Sequence, residues 1–260
     1  MVKHPGHGDQ KVHGRRGGGA SDSGAGGGQG SYKGYELSDP KNVAVGSGGS
    51  RSPEAAREAV ALRERAAAIE PGVTRMVIDQ VSEHGGTMEG LGNRLKSDDS
   101  LARKIDADAV KEHGGDRAAA AAAVSDAIRF TAVFPSESYT DGVSATLQSL
   151  EDDGYAIRAK NFWQQGDPYQ GMNVKATKDG VTVELQFHTQ SSLSTKSERL
   201  HPVYEEYRSS TDNRQRWKLW DRMVRIAGTI ETPSNYDRLL GMGSLTMQTF
   251  ETAQQAGLLG

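Results

Sequence analysis

Cysteine is absent from this sequence of 260 residues, which excludes a disulfide scaffold, a thiolate metal site and a cysteine nucleophile. Long apolar runs are also absent: none approaches the roughly 18 residues of a membrane span, and the N-terminal segment lacks the apolar core of a signal peptide. No charge sign dominates, because 31 Lys and Arg oppose 34 Asp and Glu. The net charge of −3 excludes a polycation that coats nucleic acid by bulk charge. These absences predict a cytoplasmic protein without a membrane partner.

Large apolar residues are scarce in residues 1–50, which hold 15 of the 32 glycines. Such a segment cannot bury enough apolar surface to offset the conformational entropy that is lost on ordering. We therefore predict a disordered Gly/His-rich tail over 1–50. The alternating patterns of a globular unit extend over 53–230, and they fade into a second tail over 231–260.

Periodicity and turn signals predict the elements of this unit. Helices are expected over 53–70, 73–83, 98–113, 118–124, 138–153, 191–209 and 212–229, and Pro71-Gly72 is expected to end the first of them. Strands are expected over 88–95, 126–134, 155–163, 171–178 and 181–189, with a tight turn at Asp179-Gly180 between the last two. The pattern predicts an α/β (α+β) fold, with a mixed β-sheet of about five strands flanked by helices.

One predicted strand, Val181–Thr189, alternates apolar and polar residues. Its apolar side chains are expected in the core, and Glu184, Gln186 and His188 are expected together on the opposite face. Three polar side chains on one strand face cost free energy in a core unless they perform a function. Alternatively, this face is the solvent side of an antiparallel sheet.

Cations flank the predicted helix start near residue 98, where Arg94, Lys96, Ser100, Arg103 and Lys104 follow one another. A helix N-terminus carries free N–H groups and a positive dipole end, so this set suits a polyphosphate. The alternative is an exposed, charged helix start.

Two further clusters contain residue types that suit nucleotide chemistry. Asp126 could hold Mg²⁺ and Arg129 could bind a phosphate, or the two could form an ion pair at a strand edge. Tyr169 lies close to Gly171 in Tyr-Gln-Gly-Met-Asn and could stack on a base, or it could be an ordinary turn tyrosine.

Taken in order, these clusters resemble the synthetase domain of the RelA/SpoT family, which includes small alarmone synthetases and toxin synthetases. The matching segments, over about residues 73–215, are RLKSDDSLARK (Arg94–Lys104), DAIR (Asp126–Arg129), PYQGMN (Pro168–Asn173), ELQFHT (Glu184–Thr189) and His201. The resemblance implies a nucleotidyltransferase-like fold and a pyrophosphokinase. Such an enzyme transfers the β,γ-pyrophosphoryl group of ATP to a ribose 3′-hydroxyl of GDP, GTP, an adenine nucleotide or the 3′ end of tRNA.

The same resemblance implies roles for individual residues. Glu184 and Asp126 would be catalytic and would bind Mg²⁺, and Glu184 would also accept the proton of the attacking hydroxyl. ATP would be bound by Arg94, Lys96, Ser100, Arg103, Lys104 and Arg129. The acceptor would be bound by Tyr169, Asn173, Gln186, His188 and His201, with Tyr169 stacked on its base.

The sequence departs from the family pattern at three positions. Val124 occupies the place of the usual metal-binding Asp, Asn173 that of a His, and His188 that of an Arg. The last two changes bear on the acceptor, so its identity stays open. No His-Asp dipeptide occurs, so the family's hydrolase domain is not expected. A synthetase without a hydrolase is toxic unless it is controlled, which makes an antitoxin one hypothesis for a partner.

The variant motifs and the segment HPGHGDQKVHGRR also resemble synthetase-like domains fused to, or encoded near, phage head proteins. This resemblance suggests a phage or prophage protein, with the virion as a partner and delivery into a host cytoplasm. Two alternatives remain: a catalytically inactive nucleotide-binding or virion-associated structural module with the same fold, and a different transferase on this scaffold.

Overall fold

A computed structural model describes residues 30–44, 51–163 and 166–240. A five-stranded mixed sheet runs through it, which confirms the predicted fold class. The strands are β1 (Gly30–Tyr32), β2 (Tyr35–Leu37), β3 (Thr87–Glu89), β4 (Arg129–Val133), β5 (Ala156–Asn161), β6 (Met172–Lys178) and β7 (Val181–His188). The last five form the sheet, in the order β3-β4-β7-β6-β5. Within it only β4 and β7 pair in parallel.

Helices flank this sheet, and one irregular segment joins two of them. The helices are α1 (Pro53–Glu83), α2 (Asp98–Glu112), α3 (Arg117–Ala123), α4 (Tyr139–Asp152), α5 (Gln190–Thr195), α6 (His201–Ser209) and α7 (Asn213–Ala227). A π-helix, Lys196–Leu200, connects α5 to α6, and short 3₁₀ helices cover Leu91–Asn93 and Tyr236–Leu240. No helix in the described ranges is long and apolar enough to cross a bilayer.

The helix break expected at Pro71-Gly72 is wrong, because α1 continues through both residues. Proline removes one backbone hydrogen bond and crowds the carbonyl four residues earlier, at Ala67. Pro71, Gly72 and Ala67 all lie on the exposed side of α1, so solvent can satisfy the carbonyl that is left free. Burial of the opposite side of α1, on both sides of the proline, outweighs the local cost.

The hairpin between β6 and β7 forms as predicted. Asp179 and Gly180 are its two loop residues, and both have positive φ angles, of 51° and 77°. This conformation matches the right-handed twist of the flanking strands and is typical of Asp-Gly. The turn sets the register that places Asn173 opposite Gln186 and Lys175 opposite Glu184.

Part of the segment expected as a disordered tail is ordered. Residues 30–44 form the β1–β2 hairpin and a following extended stretch that packs on the core. The Tyr32 hydroxyl donates to Asp79 at 2.9 Å, and the Tyr35 hydroxyl accepts from the Met88 amide at 3.0 Å. Two aromatic residues so close together supply the apolar contact that the tail otherwise lacks. The rest of that prediction, including the segment that carries the virion resemblance, lies outside the described residues.

The second predicted tail also begins later than residue 231. Leu239 is fully buried, and Arg238 forms an ion pair with Asp141 at 2.8 Å. The Thr140 hydroxyl donates to the Ser234 carbonyl at 2.7 Å. Residues 231–240 therefore complete the core beside α4, and the remainder of the predicted tail lies outside the described residues.

Candidate functional site

The sheet has an apolar face in the core and a polar face opposite it. On β7, Val183, Leu185 and Phe187 are buried in the core, as their alternation predicted. The parallel register places Arg129 beside Glu184, and the antiparallel register places Asn173 beside Gln186. We define the polar face by seven residues on three adjacent strands: Arg129, Thr131, Asn173, Lys175, Glu184, Gln186 and His188.

Glu184 and Arg129 lie side by side at the centre of this face, and both are half-buried. One carboxylate oxygen of Glu184 accepts from Gln186 Nε2 at 2.7 Å, which fixes the carboxylate relative to β7. The Arg129 guanidinium makes no hydrogen bond or ion pair to any described residue. A half-buried, unpaired guanidinium next to a positioned carboxylate suits a ligand that brings its own negative charge.

A second group of charged residues lies near Glu184, just before the first residue of β4. Lys96 forms an ion pair with Asp126, and Lys104 pairs with Asp108 at 3.1 Å. Burial would raise the pKa of Asp126, but the ammonium groups of Lys96 and Lys104 outweigh burial and hold the pKa below its usual value. Asp126 is therefore a carboxylate at neutral pH.

The residues present fit a Mg²⁺ ion. Oδ1 of Asp126 is buried and has no hydrogen-bond partner, although Oδ2 contacts Lys96. Mg²⁺ is usually held by one or two carboxylates together with substrate phosphates and waters. The described residues contain no cluster of three or more potential metal ligands. Asp126 and Glu184 would therefore need the phosphates of a substrate to complete the coordination. Val124, where the resemblance led us to expect an aspartate, is the C-cap of α3 and packs against the core.

Arg94 has a structural environment rather than an open one. Its side chain is only 5% exposed and forms an ion pair with Glu70, which is equally buried. Its Nη1 donates to the carbonyls of Ser38 and Leu91 at 3.0 and 2.8 Å. These partners hold together α1, the 3₁₀ turn and the stretch after β2. Arg94 borders the same hollow as Arg129, but its guanidinium is buried and its hydrogen bonds are already made to protein groups.

The start of α2 brings some of the predicted phosphate-binding residues together. Ser97 caps the helix by accepting from the Ser100 amide at 3.4 Å, and its hydroxyl donates to the Ser100 hydroxyl at 3.1 Å. One turn later, Lys104 lies in electrostatic range of Asp126 and Glu184. Arg103 is half-buried and forms no ion pair with a described residue.

Tyr169, Asn173 and His188 form a hydrogen-bonded group at the far end of the polar face. The Tyr169 hydroxyl lies 2.7 Å from Asn173 Oδ1 and 2.9 Å from His188 Nε2. His188 is fully buried, and burial together with the nearby Lys196 ammonium lowers its pKa to about 3. The imidazole is therefore neutral. The Tyr169 ring makes edge contacts with Phe162 and His188, at centroid distances of 5.1 and 5.3 Å.

Lys196 belongs to this group, and no sequence motif indicated it. Its Nζ donates to Gln186 Oε1 at 2.8 Å, lies 3.3 Å from His188 Nε2 and is placed over the Tyr169 ring at 5.2 Å. An ammonium can only donate, so the contact with Lys196 needs an unprotonated Nε2 on His188. The other ring nitrogen, Nδ1, lies 2.9 Å from the Ser192 hydroxyl. The stacking face expected for Tyr169 is thus covered by a lysine.

Sequence reasoning also missed the cations of β5 and β6. Arg158 is directly opposite Lys175, and Lys160 is opposite Asn173. They line a hollow of about 270 Å³ with Phe162 and Glu184. Like charges opposite each other destabilise a sheet, and neither partner has an ion pair with a described residue. Alternation along the predicted strand at 155–163 would have placed Arg158 and Lys160 on one face.

His201 is not brought to this group. It begins α6, its side chain is 67% exposed, and its imidazole lies 3.9 Å from Glu205 on the same helix. Lys196, at the start of the π-helix, lies on the polar face, whereas His201, which follows the π-helix, is exposed.

No protein-family model matches the chain, and no curated protein sequence matches it significantly. The likeness to RelA/SpoT synthetases therefore rests on the ordered sequence motifs alone.

Gly171 allows the close approach of His188, and this leads to a prediction. A Cβ at Gly171 would lie 2.8 Å from His188 Cε1, which is too close for the buried ring to avoid. We expect Gly171→Ala to lower the free energy of unfolding by about 1–3 kcal/mol. Gly72→Ala is the control, because Gly72 lies in a helix with open space around its Cα. This variant should have a free energy of unfolding about 0.4–1 kcal/mol higher than the wild type. Urea denaturation measures both, and equal effects would contradict this packing.

Asp167, just before Tyr169, predicts a pH dependence of stability. It is 4% exposed, and burial raises its pKa to about 7, although the Tyr169 amide donates to it. The unfolded carboxyl titrates near about 4, so the folded state binds an extra proton between about pH 4 and 7. This contribution to stability is lost as the pH rises through that window.

As the pH rises from about 5 to 8, we expect the free energy of unfolding to fall less in Asp167→Asn than in the wild type. Urea denaturation at several pH values measures both. The low pKa of His188 contributes a slope of opposite sign in both proteins, so it cancels in the comparison. Identical pH profiles for the two proteins would contradict a raised pKa of Asp167 in the folded state.

Proposed function

We propose that this protein is a RelA/SpoT-type pyrophosphokinase that uses ATP and Mg²⁺ to modify a ribose 3′-hydroxyl. The observation that carries the proposal is the position of Glu184. Its carboxylate is fixed by Gln186, lies beside the unpaired guanidinium of Arg129, and is in electrostatic range of Lys96 and Lys104. A positioned carboxylate beside an unpaired guanidinium, with two further cations in range, suits proton removal next to transferred phosphates.

Two hollows on the polar face support a reaction with two substrates. The first, of about 270 Å³, is lined by Glu184 and the β5–β6 cations. The second, of about 180 Å³, is lined by Arg129, Gln186 and Lys196. Glu184 and Gln186 are neighbours on one side of β7, so one row of side chains borders both hollows. A donor and an acceptor bound in them would meet at Glu184, and holding two reactants in this way is the main source of catalysis in phosphoryl transfer.

The proposed reaction transfers the terminal pyrophosphoryl group as a unit. The acceptor 3′-oxygen forms a bond to the β-phosphorus of ATP, the bond from that phosphorus to the α,β-bridging oxygen breaks, and AMP leaves. Glu184 accepts the hydroxyl proton, and Arg129 and Lys104 neutralise charge on the phosphates. Mg²⁺, held by Asp126 and Glu184, would supply further charge neutralisation when bound. Arg94 has a structural role in this proposal.

A labelling experiment tests the proposal. The full chain is incubated with Mg²⁺ and ATP carrying radioactive γ-phosphate, separately with GDP, GTP, adenine nucleotides and bulk tRNA. We expect label on one class of acceptor and none without Mg²⁺. A folded protein that binds ATP but labels no acceptor would contradict the proposal.

That outcome would favour the second candidate, a nucleotide-binding or virion-associated module without activity. The observation that favours it is the Lys196 ammonium over the Tyr169 ring, since this is the surface on which an acceptor base was expected to stack. ATP binding without transfer, combined with the presence of the protein in purified virions, would support this second candidate.

A further inference from the structure

We infer that Lys196 is a phosphate-binding residue that makes the site select an acceptor carrying a phosphate group. This inference rests on the proposed function and concerns the acceptor side of the same site. Lys196 is the first residue of the π-helix, and π-helical turns are frequent at functional sites.

The charge of Lys196 lacks a carboxylate partner. Its three contacts are the Gln186 amide oxygen, the neutral His188 imidazole and the Tyr169 ring. None of them carries a full negative charge, and the side chain is half-buried. An ammonium held in this way costs free energy unless an anion compensates it.

The nearby groups increase that cost and indicate where an anion would bind. The Arg129 guanidinium is in electrostatic range of Lys196, and both residues line the hollow of about 180 Å³. The exposed Glu89 and the ion-paired Arg94 line it as well. Among the described residues, Glu184 is the acidic group whose charge raises the pKa of Lys196, and it is already hydrogen-bonded to Gln186. Two cations that converge on one small hollow suit a phosphate group.

The position of Lys196 assigns this phosphate to the acceptor. Lys96 and Lys104 surround Asp126 at the Glu184 end of the polar face, where donor phosphates and Mg²⁺ would lie. Lys196 contacts Gln186 and His188, further along β7. With about 3.3 Å per strand residue, Gln186 and His188 are about 7 and 13 Å from Glu184 along β7. A phosphate bound there would draw the ammonium away from the Tyr169 ring and free the ring for a base.

The test compares three variants in the transfer assay, with acceptors that have and lack a 5′-phosphate. GDP and ADP are compared with guanosine and adenosine, and KM is measured separately for acceptor and ATP. Lys196→Met should raise the KM of the phosphorylated acceptor about 10- to 100-fold, leave the KM of ATP within about twofold, and abolish the preference for nucleotide over nucleoside. Lys196→Arg should retain most of the preference. Lys218→Met, on the exposed side of α7, is the matched control.

Several outcomes would overturn the inference. An unchanged ratio of nucleotide to nucleoside in Lys196→Met would show that the ammonium contacts no acceptor phosphate. A rise in the KM of ATP instead would assign Lys196 to the donor. Equal rises in both, together with a lower midpoint of urea denaturation, would indicate a structural role.

A binding measurement separates this inference from the proposed function. If the wild type transfers no label, titration calorimetry with GDP, ADP and inorganic pyrophosphate still tests Lys196. Weaker binding by Lys196→Met than by Lys218→Met would support the phosphate contact without catalysis. Equal binding, or no binding by the wild type, would overturn it.

The pH dependence gives a readout that packing alone would not change. Burial lowers the pKa of Lys196 to about 8, with Arg129 acting in the same direction and Glu184 against it. His188 stays neutral in this range, and burial raises the pKa of Tyr169 well above its usual value. The acceptor KM should therefore rise above about pH 8 in the wild type and stay level in Lys196→Arg, whose guanidinium remains charged. Parallel pH profiles would contradict the assignment.

Discussion

Replacing Glu184 with glutamine should lower kcat for pyrophosphoryl transfer on the order of 10³-fold or more, because it removes both the proton acceptor and a Mg²⁺ ligand. The amide keeps the size of the side chain, and its oxygen can still accept from Gln186 Nε2, so the local hydrogen bond survives. We expect the free energy of unfolding to stay within about 1 kcal/mol of the wild type. Initial rates of label transfer and urea denaturation together measure the two effects.

Glu112→Gln is the matched control, because Glu112 is an exposed residue at the end of α2, paired only with Lys111. It should change neither rate nor stability. Transfer by Glu184→Gln at a rate near that of the wild type would remove Glu184 from the chemistry. A large loss of stability in that variant would mean that the lost rate reports unfolding and not catalysis.

Replacing Arg94 with methionine should lower the free energy of unfolding by about 3–5 kcal/mol. The change leaves the Glu70 carboxylate buried without its cation, and it removes the donors to the Ser38 and Leu91 carbonyls. Lys111→Met is the control: it breaks an exposed pair of the same charge type and should cost about 0–1 kcal/mol. Urea denaturation with both midpoint and slope measures the difference.

A second variant tests whether the cost arises from the unpaired charge. In the double variant Arg94→Met with Glu70→Leu no buried carboxylate remains, so we expect recovery of part of the lost stability. If Arg94→Met is stable but has a much higher KM for ATP, Arg94 binds phosphate as the motif implied, and the structural assignment is wrong.

The polar face shows how much of the site was readable in the sequence. The positions of Glu184, Gln186 and His188 on one side of β7 follow from alternation, because successive side chains of a strand point to opposite faces. The register with β6 follows from the Asp179-Gly180 turn, since a two-residue loop permits one pairing. Both signals act over a few residues, so no knowledge of the rest of the chain is needed.

Other features depend on segments that are distant in the chain. Arg94 and Glu70 are 24 residues apart, and nothing in the local pattern around Arg94 distinguishes a buried ion pair from a phosphate ligand. Lys196 reaches the sheet at the junction between α5 and a π-helix, where the sequence predicted one continuous helix over 191–209. Pro71 stays within α1 because the packing of its buried side outweighs a local preference.

Backbone preferences, turn chemistry and the side-chain alternation of strands are short-range properties, and the amino-acid sequence was sufficient to predict the mixed sheet, the hairpin and the row of polar residues that contains Glu184. Whether a cation is available to a ligand depends on how deeply it is buried and on whether a carboxylate from a distant segment pairs with it. Arg94 forms a buried ion pair with Glu70, whereas Arg129 and Lys196 lie beside the sheet without carboxylate partners. The free energy of a charge depends on the groups packed around it, so folding of the whole domain separates the structural cations from those that can bind phosphate.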